Sequence, residues 1–446
     1  MPRLQITPRL TAQPRRQFLT TLGTAAAGLA LTGCATGGRR KYSPNDKLNI
    51  AFIGVAGQAQ FSISNLKDQN IVALCDVDAT NLAKAAQQFP SARTHRDFRR
   101  LIDQMDIDAI VIATPDHTHA VATAAALRSG RHVYCEKPLT HTVSEARAIT
   151  ELARKTRLVT QIGTQIHAGD NYRRVVELVQ AGTIGAVSEV HVWANSSYGG
   201  KQRPTETPPV PANLDWDLWL GPAAFRTYHP DYVPFHWRHW WQFGGGSLAD
   251  FGCHFMDLPF WALDLAHPDR VEPVAGPAVD KESTPPWLIV KYHFPARANL
   301  KTGTTRGPLN LTWYHGGKYP KELVSEALFA KYRSGVLFVG EKGMLVSDYG
   351  RHTLLPEEKF AGFVRPPQSI PKTIGHHKEW VEAIKNGGTP SCHFGYSGPL
   401  TETALLGNVA YRVGQTLEWD AENLRARNCP AAEEFIQHHY RKGWKL

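Results

Sequence analysis

An aspartate and a histidine stand four residues apart in a glycine-rich segment, at Asp250 and His254. On a helix this spacing places both side chains on one face. A carboxylate and an imidazole held together can position a hydroxyl group and accept its proton. The pair therefore indicates acid–base chemistry on a hydroxyl-bearing substrate. A metal-binding pair is the alternative, but the sequence shows no third ligand motif, and we expect no metal.

A lysine suited to the same reaction lies in the sequence Glu136-Lys137-Pro138. The apolar run 131–135 predicts a strand, and Pro138 ends it. An ammonium beside a substrate hydroxyl stabilises the alkoxide that forms as a hydride leaves. The alternative is an ordinary surface lysine. We expect Glu136 and Lys137 to contact a cofactor as well.

A strand–turn–helix pattern indicates which cofactor this is. The turn reads Gly54-Val55-Ala56-Gly57-Gln58-Ala59, so only the first of the three glycines expected of a dinucleotide-binding turn is in place. Asp76 follows Gly54 by 22 residues, close to the ~20 expected for an acid that binds ribose. A carboxylate there repels a 2′-phosphate, which favours NAD over NADP. The alternative is that Asp76 caps the next helix. The expected cofactor contacts in this part of the chain are Gly54, Ala56, Gly57, Gln58 and Asp76.

A second polar segment, Thr114-Pro115-Asp116-His117-Thr118-His119, directly follows the apolar run 108–113. Ligands of such folds bind at the carboxyl ends of parallel strands. We therefore expect Thr114, Pro115 and His119 to contact the cofactor. The alternatives are that Asp116 only caps the following helix and that His119 is only a residue of its first turn.

The elements that position these residues fall into two regions. From Lys47 apolar runs alternate with helical stretches, which predicts a doubly wound parallel sheet, a Rossmann domain, over 47–165. Beyond it, strand-like runs at 187–193, 288–294, 309–314 and 336–339 dominate, with helices at 376–386 and 400–417. This predicts an α+β domain over 166–446 with a large, mainly antiparallel open sheet. The fold class is therefore α/β.

The N-terminal residues 1–34 are typical of an export signal. Arg15-Arg16 precede Phe18-Leu19 and a short Ala/Gly-rich run, the pattern of a twin-arginine signal peptide. The sequence ending in Cys34 resembles a lipobox, in which that cysteine carries a lipid anchor; cleavage near Ala35 is the alternative. Residues 35–46 then form a linker. We expect a protein exported to the periplasm.

The composition excludes several classes of protein. Hydrophobic residues make up 42% of the chain and charged residues 20%, as in a soluble globular protein. Four arginines within residues 1–34, where there is no acid, contribute +4 of the formal net charge of +10, and no long basic run follows, so we expect no nucleic-acid partner. The six cysteines show no metal or disulfide spacing.

The aromatic residues are the last chemical signal. The chain has twelve tryptophans, many of them between Trp216 and Trp261. Core packing is the plain interpretation; a wall that faces the apolar faces of a sugar is the functional one. The residues expected to contact a carbohydrate substrate are His167, Asn171, Trp240, Trp241, Asp250 and His254.

Together these segments resemble the Gfo/Idh/MocA oxidoreductase family, which includes glucose-fructose oxidoreductase and inositol dehydrogenase. The matching residues are Gly54, Asp76, the 114–119 segment, Glu136-Lys137-Pro138 and the Asp250/His254 pair. The resemblance implies Lys137, Asp250 and His254 as a catalytic trio, with His254 as proton acceptor, and a homo-oligomer. The segment 213–221 and the Trp240-Trp241 pair resemble an exported bacterial subgroup. Ala56 and Ala59, where the family has glycines, are the departure.

Three functions follow from the sequence. The leading one is an NAD(H)-dependent oxidoreductase that acts on a hydroxyl of a sugar, glycoside or polyol and, being exported, holds its NAD tightly. The alternative is an NAD-dependent glycoside hydrolase that oxidises the ring, eliminates the aglycone, adds water and reduces the ring again. Its additional base would be His167, Tyr198 or His315. The third is a non-catalytic sugar-binding lipoprotein, against which the intact trio argues.

Overall fold

The structure is a computed structural model that describes residues 42–43, 45–298, 305–437 and 439–446. Residues Lys47–Leu446 form one compact unit. The expected export signal, residues 1–34, lies outside the described residues. Among the helices of the described part of the chain, none has the length and apolar character needed to cross a membrane.

The first sheet has six parallel strands in the order β3-β2-β1-β4-β5-β6. Its strands are β1 (Asn49–Ile53), β2 (Asn70–Cys75), β3 (Arg93–His95), β4 (Ala109–Ile112), β5 (His132–Cys135) and β6 (Thr160–Ile162). Its helices are α1 (Ala59–Leu66), α2 (Ala79–Gln88), α3 (Phe98–Ile102), α4 (Asp116–Arg128) and α5 (Val143–Thr156). All four residues of β4 are buried, as expected for a sheet covered on both faces. The strand order reverses between β1 and β4, and this switch point is where such folds bind ligands.

The second sheet has nine strands in the order β15-β14-β13-β7-β12-β9-β8-β16-β17. Its strands are β7 (Val187–Ala194), β8 (Arg270–Ala275), β9 (Leu288–Phe294), β12 (Leu309–His315), β13 (Gly335–Gly340), β14 (Gly343–Ser347), β15 (His352–Leu355), β16 (Leu417–Asp420) and β17 (Arg425–Ala426). A separate hairpin consists of β10 (Arg297–Ala298) and β11 (Thr305–Arg306). Only the β7–β12 pair is parallel. Along β9, buried residues alternate with half-exposed ones, so one face of the sheet joins the core and the other is open.

The second region also contains helices. They are α6 (Asp170–Gln180), α7 (Trp216–Leu220), α8 (Gly246–Phe255), α9 (Asp257–Ala262), α10 (Glu326–Lys331), α11 (His376–Asn386), α12 (Phe394–Val413) and α13 (Glu433–Ile436). Short 3₁₀ turns lie at Gln165–Ala168, His236–His239, Glu357–Phe360 and Pro430–Ala432. Residues of α8, α9 and α12 share one hydrophobic core with β7, β9 and β12.

The C-terminal helices fix the two sheets to each other. The Arg147 guanidinium on α5 donates two hydrogen bonds of 2.9 Å to the Glu402 carboxylate on α12. Ahead of α12, the Cys392 carbonyl accepts a hydrogen bond from the Ile162 amide at the end of β6. These contacts set the amino-terminal end of α8, which packs on α12, against the carboxyl edge of the parallel sheet.

The structure confirms the predicted fold class: a parallel Rossmann sheet followed by a mixed, mostly antiparallel sheet. The expected helix through Leu265 is in fact two helices, α8 and α9, since the chain turns at Met256. The expected helix at 400–417 begins six residues earlier and ends at Gly414, whose positive φ of 69° closes it.

Candidate active site

The turn after β1 is built for close backbone approach. Gly54 has φ of +84°, and a Cβ there would lie 2.5 Å from the Ala113 carbonyl oxygen at the end of β4. Only glycine fits this position. Gly57 also has a positive φ, of +57°, but a Cβ there would meet nothing within 4 Å. The turn therefore leaves open space at the start of α1, where helix amides favour a phosphate.

Two alanines stand in this turn where glycines are expected, and the turn still forms its internal hydrogen bond. The Ala59 amide donates a hydrogen bond of 3.2 Å to the Ala56 carbonyl, and Ala59 itself is fully buried as the first residue of α1. A methyl group is thus accommodated between helix and sheet. Gln58, which precedes it, is exposed.

Asp76 lies at the end of β2, directly beside this turn. Its carboxylate accepts hydrogen bonds from the Val55 amide at 3.1 Å and the Asp78 amide at 2.9 Å. Burial raises the pKa of Asp76, while these two amides lower it. The N-cap of α2 is Asp78 rather than Asp76, so the capping alternative does not explain Asp76. The turn, the open space and this carboxylate fit a dinucleotide with a free ribose 2′-hydroxyl.

The 114–119 segment starts α4 at the end of β4. Pro115 is the N-cap, and the Thr118 hydroxyl donates a hydrogen bond of 2.7 Å to the Thr114 hydroxyl. The His119 ring is buried between two carbonyls, with Nδ1 2.7 Å from the Pro138 oxygen and Nε2 2.8 Å from the Thr114 oxygen. Burial lowers the pKa of His119 to about 4. His119 therefore ties the loops after β4 and β5 together.

Glu136 connects the end of β5 to neighbouring loops. Its Oε1 accepts a hydrogen bond of 3.0 Å from the Gln165 side chain. A Cβ on Gly163 would lie 2.3 Å from Oε2, so the carboxyl group is closely enclosed. Burial raises the pKa of Glu136 to about 7, although the Lys137 charge lowers it. Its charge therefore changes near neutral pH.

Lys137 and Asp250 form an ion pair across the two regions of the fold. The Lys137 ammonium, at the end of β5, donates to Oδ1 of Asp250 on α8, and the two side chains are 11% and 6% exposed. Burial alone would raise the pKa of Asp250, but the charges of Lys137 and Arg238 lower it to about 2. Asp250 is therefore a permanent carboxylate at the cleft.

His254 lies one helical turn after Asp250 on α8. Its Nδ1 is buried and has no hydrogen-bond partner among the described residues. Burial, reinforced by the Lys137 charge, lowers the pKa of His254 to about 3, with Asp250 acting in the opposite direction. The imidazole is therefore neutral at physiological pH and has a lone pair with which to accept a proton.

The structure adds three residues to this site that sequence reasoning missed as site residues. Arg238 places Nε 3.4 Å from Asp250 Oδ2, on the side opposite Lys137. The Tyr198 hydroxyl lies next to Asp250, and burial together with this carboxylate raises its pKa to about 12. Asp116 at the start of α4 is buried, which raises the pKa of its carboxyl, while the Arg238 charge lowers it. Tyr198 had been considered only as an elimination base.

The tryptophan pair does not reach the cleft. Trp240 is fully buried and Trp241 is 7% exposed. Their indole nitrogens donate to the backbone carbonyls of Asp231 and Asp280, each at 3.0 Å. The interpretation as core packing therefore describes these two residues, and neither presents a face to a sugar.

His167 and Asn171 are likewise engaged within the protein. The His167 ring is buried, stacks on Trp261 at 4.1 Å and places Nδ1 2.9 Å from the Asp257 carboxylate. The Asn171 amide donates to the carbonyls of Asp348 and Arg351, which holds the turn between β14 and β15. Internal hydrogen bonds hold both residues, but the buried Nε2 of His167 has no hydrogen-bond partner among the described residues, and the substrate contacts of both stay predictions.

Comparisons with known proteins agree with this geometry. A family model described as the oxidoreductase family, NAD-binding Rossmann fold, matches residues 48–164. A second, described as the oxidoreductase family, C-terminal alpha/beta domain, matches residues 169–304.

Curated relatives include two inositol dehydrogenases. Inositol 2-dehydrogenase 2 of Saccharopolyspora erythraea is 33% identical over 158 residues, which is 34% of this chain and 46% of that protein. Inositol 2-dehydrogenase of Gluconacetobacter diazotrophicus is 32% identical over 183 residues, 39% of this chain and 54% of that protein. The matched part thus spans about half the length of these relatives.

Solved structures share the fold at low sequence identity. The WlbA dehydrogenase from Bordetella pertussis, in complex with NADH and UDP-GlcNAcA, is 16% identical with a TM-score of 0.59 and covers 84% of this chain and 99% of that one. The aldose-aldose oxidoreductase from Caulobacter crescentus, complexed with glycerol, is 18% identical with a TM-score of 0.56 and covers 84% and 100%. With both halves of its architecture matched, the chain belongs to the NAD-binding Gfo/Idh/MocA oxidoreductase family.

Proposed function

We propose that this protein oxidises a hydroxyl group of a sugar, glycoside or polyol by hydride transfer to NAD. The observation that carries the proposal is the meeting of Lys137 with Asp250 and His254 at the carboxyl edge of the parallel sheet. The relatives named inositol 2-dehydrogenase support a polyhydroxylated substrate.

Each residue of the trio has a distinct task in this reaction. NAD, when bound, supplies the hydride acceptor. The Lys137 ammonium stabilises the negative charge that develops on the substrate oxygen. His254, which is neutral, accepts the hydroxyl proton. Asp250 has a cation beside each of its oxygens, Lys137 and Arg238, so it orients the lysine and stays ionised throughout.

We further propose that NAD is retained tightly and preferred over NADP. The Asp76 carboxylate, fixed by two backbone amides, would accept a hydrogen bond from a ribose 2′-hydroxyl and repel a 2′-phosphate. Heat release of nucleotide from freshly purified protein, followed by its identification, tests both points. Release of NADP, or of no nucleotide, would contradict this proposal.

The reaction itself is tested by NADH formation at 340 nm with a panel of sugars, glycosides and polyols. Lys137→Ala and His254→Ala should each lower kcat at least ~100-fold, the usual scale for loss of an acid–base group. Lys342→Ala and His439→Ala remove the same residue types from exposed positions away from the site and should keep wild-type activity. Full activity of either trio variant would refute the assignment.

The glycoside hydrolase remains the second candidate, and Tyr198 is the observation in its favour. Its hydroxyl lies beside Asp250, and its raised pKa of about 12 keeps it protonated at neutral pH, so it can donate a hydrogen bond to a glycoside oxygen at the cleft. Aryl glycosides separate the two functions. Release of the aglycone without added NAD and without net NADH indicates the hydrolase, whereas stoichiometric NADH without release indicates the dehydrogenase.

We also propose that residues 1–34 direct twin-arginine export and that Cys34 carries a lipid, which places the enzyme on the periplasmic face of a membrane. The twin arginines, the short apolar run and the lipobox-like sequence support this. Replacing Arg15 and Arg16 by lysine should retain the protein in the cytoplasm. Cys34→Ala should release it from the membrane fraction; unchanged fractionation would remove the lipid anchor from the proposal.

We propose, finally, that the protein forms a homo-oligomer. The open face of the nine-stranded sheet offers a broad surface of half-exposed side chains along β9 and β12. Light scattering coupled to size exclusion gives the mass directly, and a monomer would contradict the proposal.

A further inference from the structure

Four basic side chains lie together on two loops beside the trio. We call them the basic pocket: Lys201, His236, Arg238 and His239. The ring of Tyr198 lies 5.5 Å from that of His239 and 6.1 Å from that of Phe251, and Phe251 in turn lies 6.0 Å from the Lys137 ammonium. The His236 and His239 rings are 5.8 Å apart. The basic pocket therefore opens on the same cleft as Lys137 and Asp250.

Arg238 stacks on two aromatic rings and makes no hydrogen bond to the described residues. Its guanidinium lies 4.0 Å from the ring centroid of Trp237 and 4.6 Å from that of Phe235. Its one carboxylate neighbour within 4 Å among the described residues is Asp250, which already pairs with Lys137. Its Nε lies 3.4 Å from Asp250 Oδ2 as an ion pair, but no hydrogen bond joins the guanidinium to any described residue. Stacking on aromatic rings fixes a guanidinium without satisfying its N–H groups.

The other members of the basic pocket are also available as donors or cations. No carboxylate of the described residues lies within 4 Å of the Lys201 ammonium. The His239 Nδ1 accepts a hydrogen bond from the Gly199 amide at 2.6 Å, so its Nε2 carries the proton and is a donor. By contrast, the nearby Arg203 and Arg226 both pair with Glu282. Inside the cleft, Lys137 and Arg238 share the one Asp250 carboxylate, and the Lys201 ammonium has no carboxylate of the described residues within 4 Å.

We propose that the basic pocket binds an oxyanion carried by the substrate, so that the enzyme acts on an acidic sugar, with a carboxylate or phosphate group on Arg238. A neutral sugar offers the guanidinium single, uncharged hydroxyl oxygens, whereas an oxyanion accepts two parallel, charge-assisted hydrogen bonds from it. The inference rests on the proposed oxidation of a sugar hydroxyl and names its substrate class. The competing role for Arg238 is only to keep Asp250 ionised.

The experiment compares three probes: glucose, glucuronate and glucose 6-phosphate. Binding to the NAD-loaded protein is measured by calorimetry, and oxidation by NADH formation. Wild type should bind one of the acidic sugars at least ~10-fold more tightly than glucose, the scale of one charge-assisted hydrogen bond. Preference for glucuronate identifies a carboxylate as the recognised group, and preference for glucose 6-phosphate a phosphate.

Arg238→Gln should lower affinity for the preferred acidic sugar at least ~10-fold more than affinity for glucose, and Arg238→Lys should keep part of the preference. Arg270→Gln removes an arginine from the exposed part of β8 and is the matched control, which should behave as wild type. Thermal unfolding checks that each variant is folded. If Arg238→Gln does not fold, Lys201→Gln, on the other loop, provides the same comparison.

Two results would overturn the proposal that the basic pocket binds an oxyanion. One is equal affinity of wild type for glucose and for both acidic sugars. The other is an equal loss of binding and turnover for acidic and neutral probes in Arg238→Gln, which assigns Arg238 to positioning Asp250 alone. Selective binding of an acidic sugar with no NADH from any probe would support the basic pocket and contradict the proposed oxidation, so the two failures are distinguishable.

Discussion

His315 allows one physical argument about this fold to be tested in isolation. It ends β12 and is 1% exposed. Its Nδ1 accepts a hydrogen bond of 2.9 Å from the Trp313 indole, which can only donate, so Nε2 carries the proton and donates to the Pro285 carbonyl at 3.2 Å. Protonation of Nδ1 would set its N–H against the indole N–H. Burial accordingly lowers the pKa of His315 to about 4.

The magnitude follows from the difference between the folded and unfolded pKa. A histidine in the unfolded chain has a pKa of 6.5, against about 4 in the folded protein. Because the folded pKa is the lower one, unfolding takes up a proton between these values, and stability falls as the pH falls through this window. At pH 5, about 1.5 units below the unfolded pKa, His315 alone lowers stability by about 2 kcal/mol relative to neutral pH.

The assay is urea unfolding, followed by tryptophan fluorescence, at pH 7 and pH 5. His315→Gln removes the titrating group and keeps polar atoms near both partners. Between the two pH values, wild type should lose about 2 kcal/mol more than His315→Gln, because contributions of other groups cancel in the comparison. His293→Gln controls for loss of a half-exposed histidine. Identical pH dependence of wild type and His315→Gln would refute the lowered pKa of His315. His315 would then remain a candidate for the elimination base.

Three further predictions concern the cofactor turn and the joint between the sheets. Gly54→Ala should lower stability by about 2 kcal/mol or more, because its Cβ would meet the Ala113 carbonyl and its φ is positive. At Gly57 a methyl group would have open space, so Gly57→Ala should lower stability by only about 1 kcal/mol. Comparison of the urea midpoints checks both values, and each variant should also lose bound NAD. Asp76→Ser should reduce the ratio of kcat/KM for NAD to that for NADP at least ~10-fold. An unchanged ratio would show that Asp76 does not contact the ribose. Arg147→Ala leaves the buried Glu402 carboxylate without its bidentate partner and should lower stability by about 2–3 kcal/mol. The double variant with Glu402→Gln should regain part of this stability.

The fold was predictable from the sequence wherever one local rule decided the structure. Short, fully apolar runs between polar segments, such as β4, indicate buried strands, and Gly54 follows such a run. The C-terminal helix shows where the rules compete. A proline usually ends a helix, so the prediction started after Pro399, yet α12 begins at Phe394, whose N-cap His393 bonds the Gly395 amide. Gly414 was the available signal for its end, and β16 follows it.

The site was only partly predictable, because several of its properties depend on contacts between distant segments. The spacing of Asp250 and His254 gives a shared helix face, and Lys137 follows a strand, but their meeting depends on how α8 packs against the parallel sheet. Nothing local separates the buried Trp240 and Trp241 from tryptophans of a sugar-binding wall. For Asn171, the turn that it holds lies more than 170 residues away in the chain.

Arg238 is the residue for which this distinction matters most. In the sequence it lies within His236-Trp237-Arg238-His239-Trp240-Trp241, where the aromatic residues draw attention, and both the stacking and the proximity to Asp250 appear only in three dimensions. The Asp250/His254 pair can be recognised from its spacing, and the resemblance to the family adds Lys137 as the third catalytic residue. Recognition of a particular substrate instead depends on which donors the surrounding loops leave unpaired. The type of reaction is therefore set by residues with a short-range pattern, whereas the substrate class is set by Arg238 and its neighbours, and measurements on Arg238 variants address it directly.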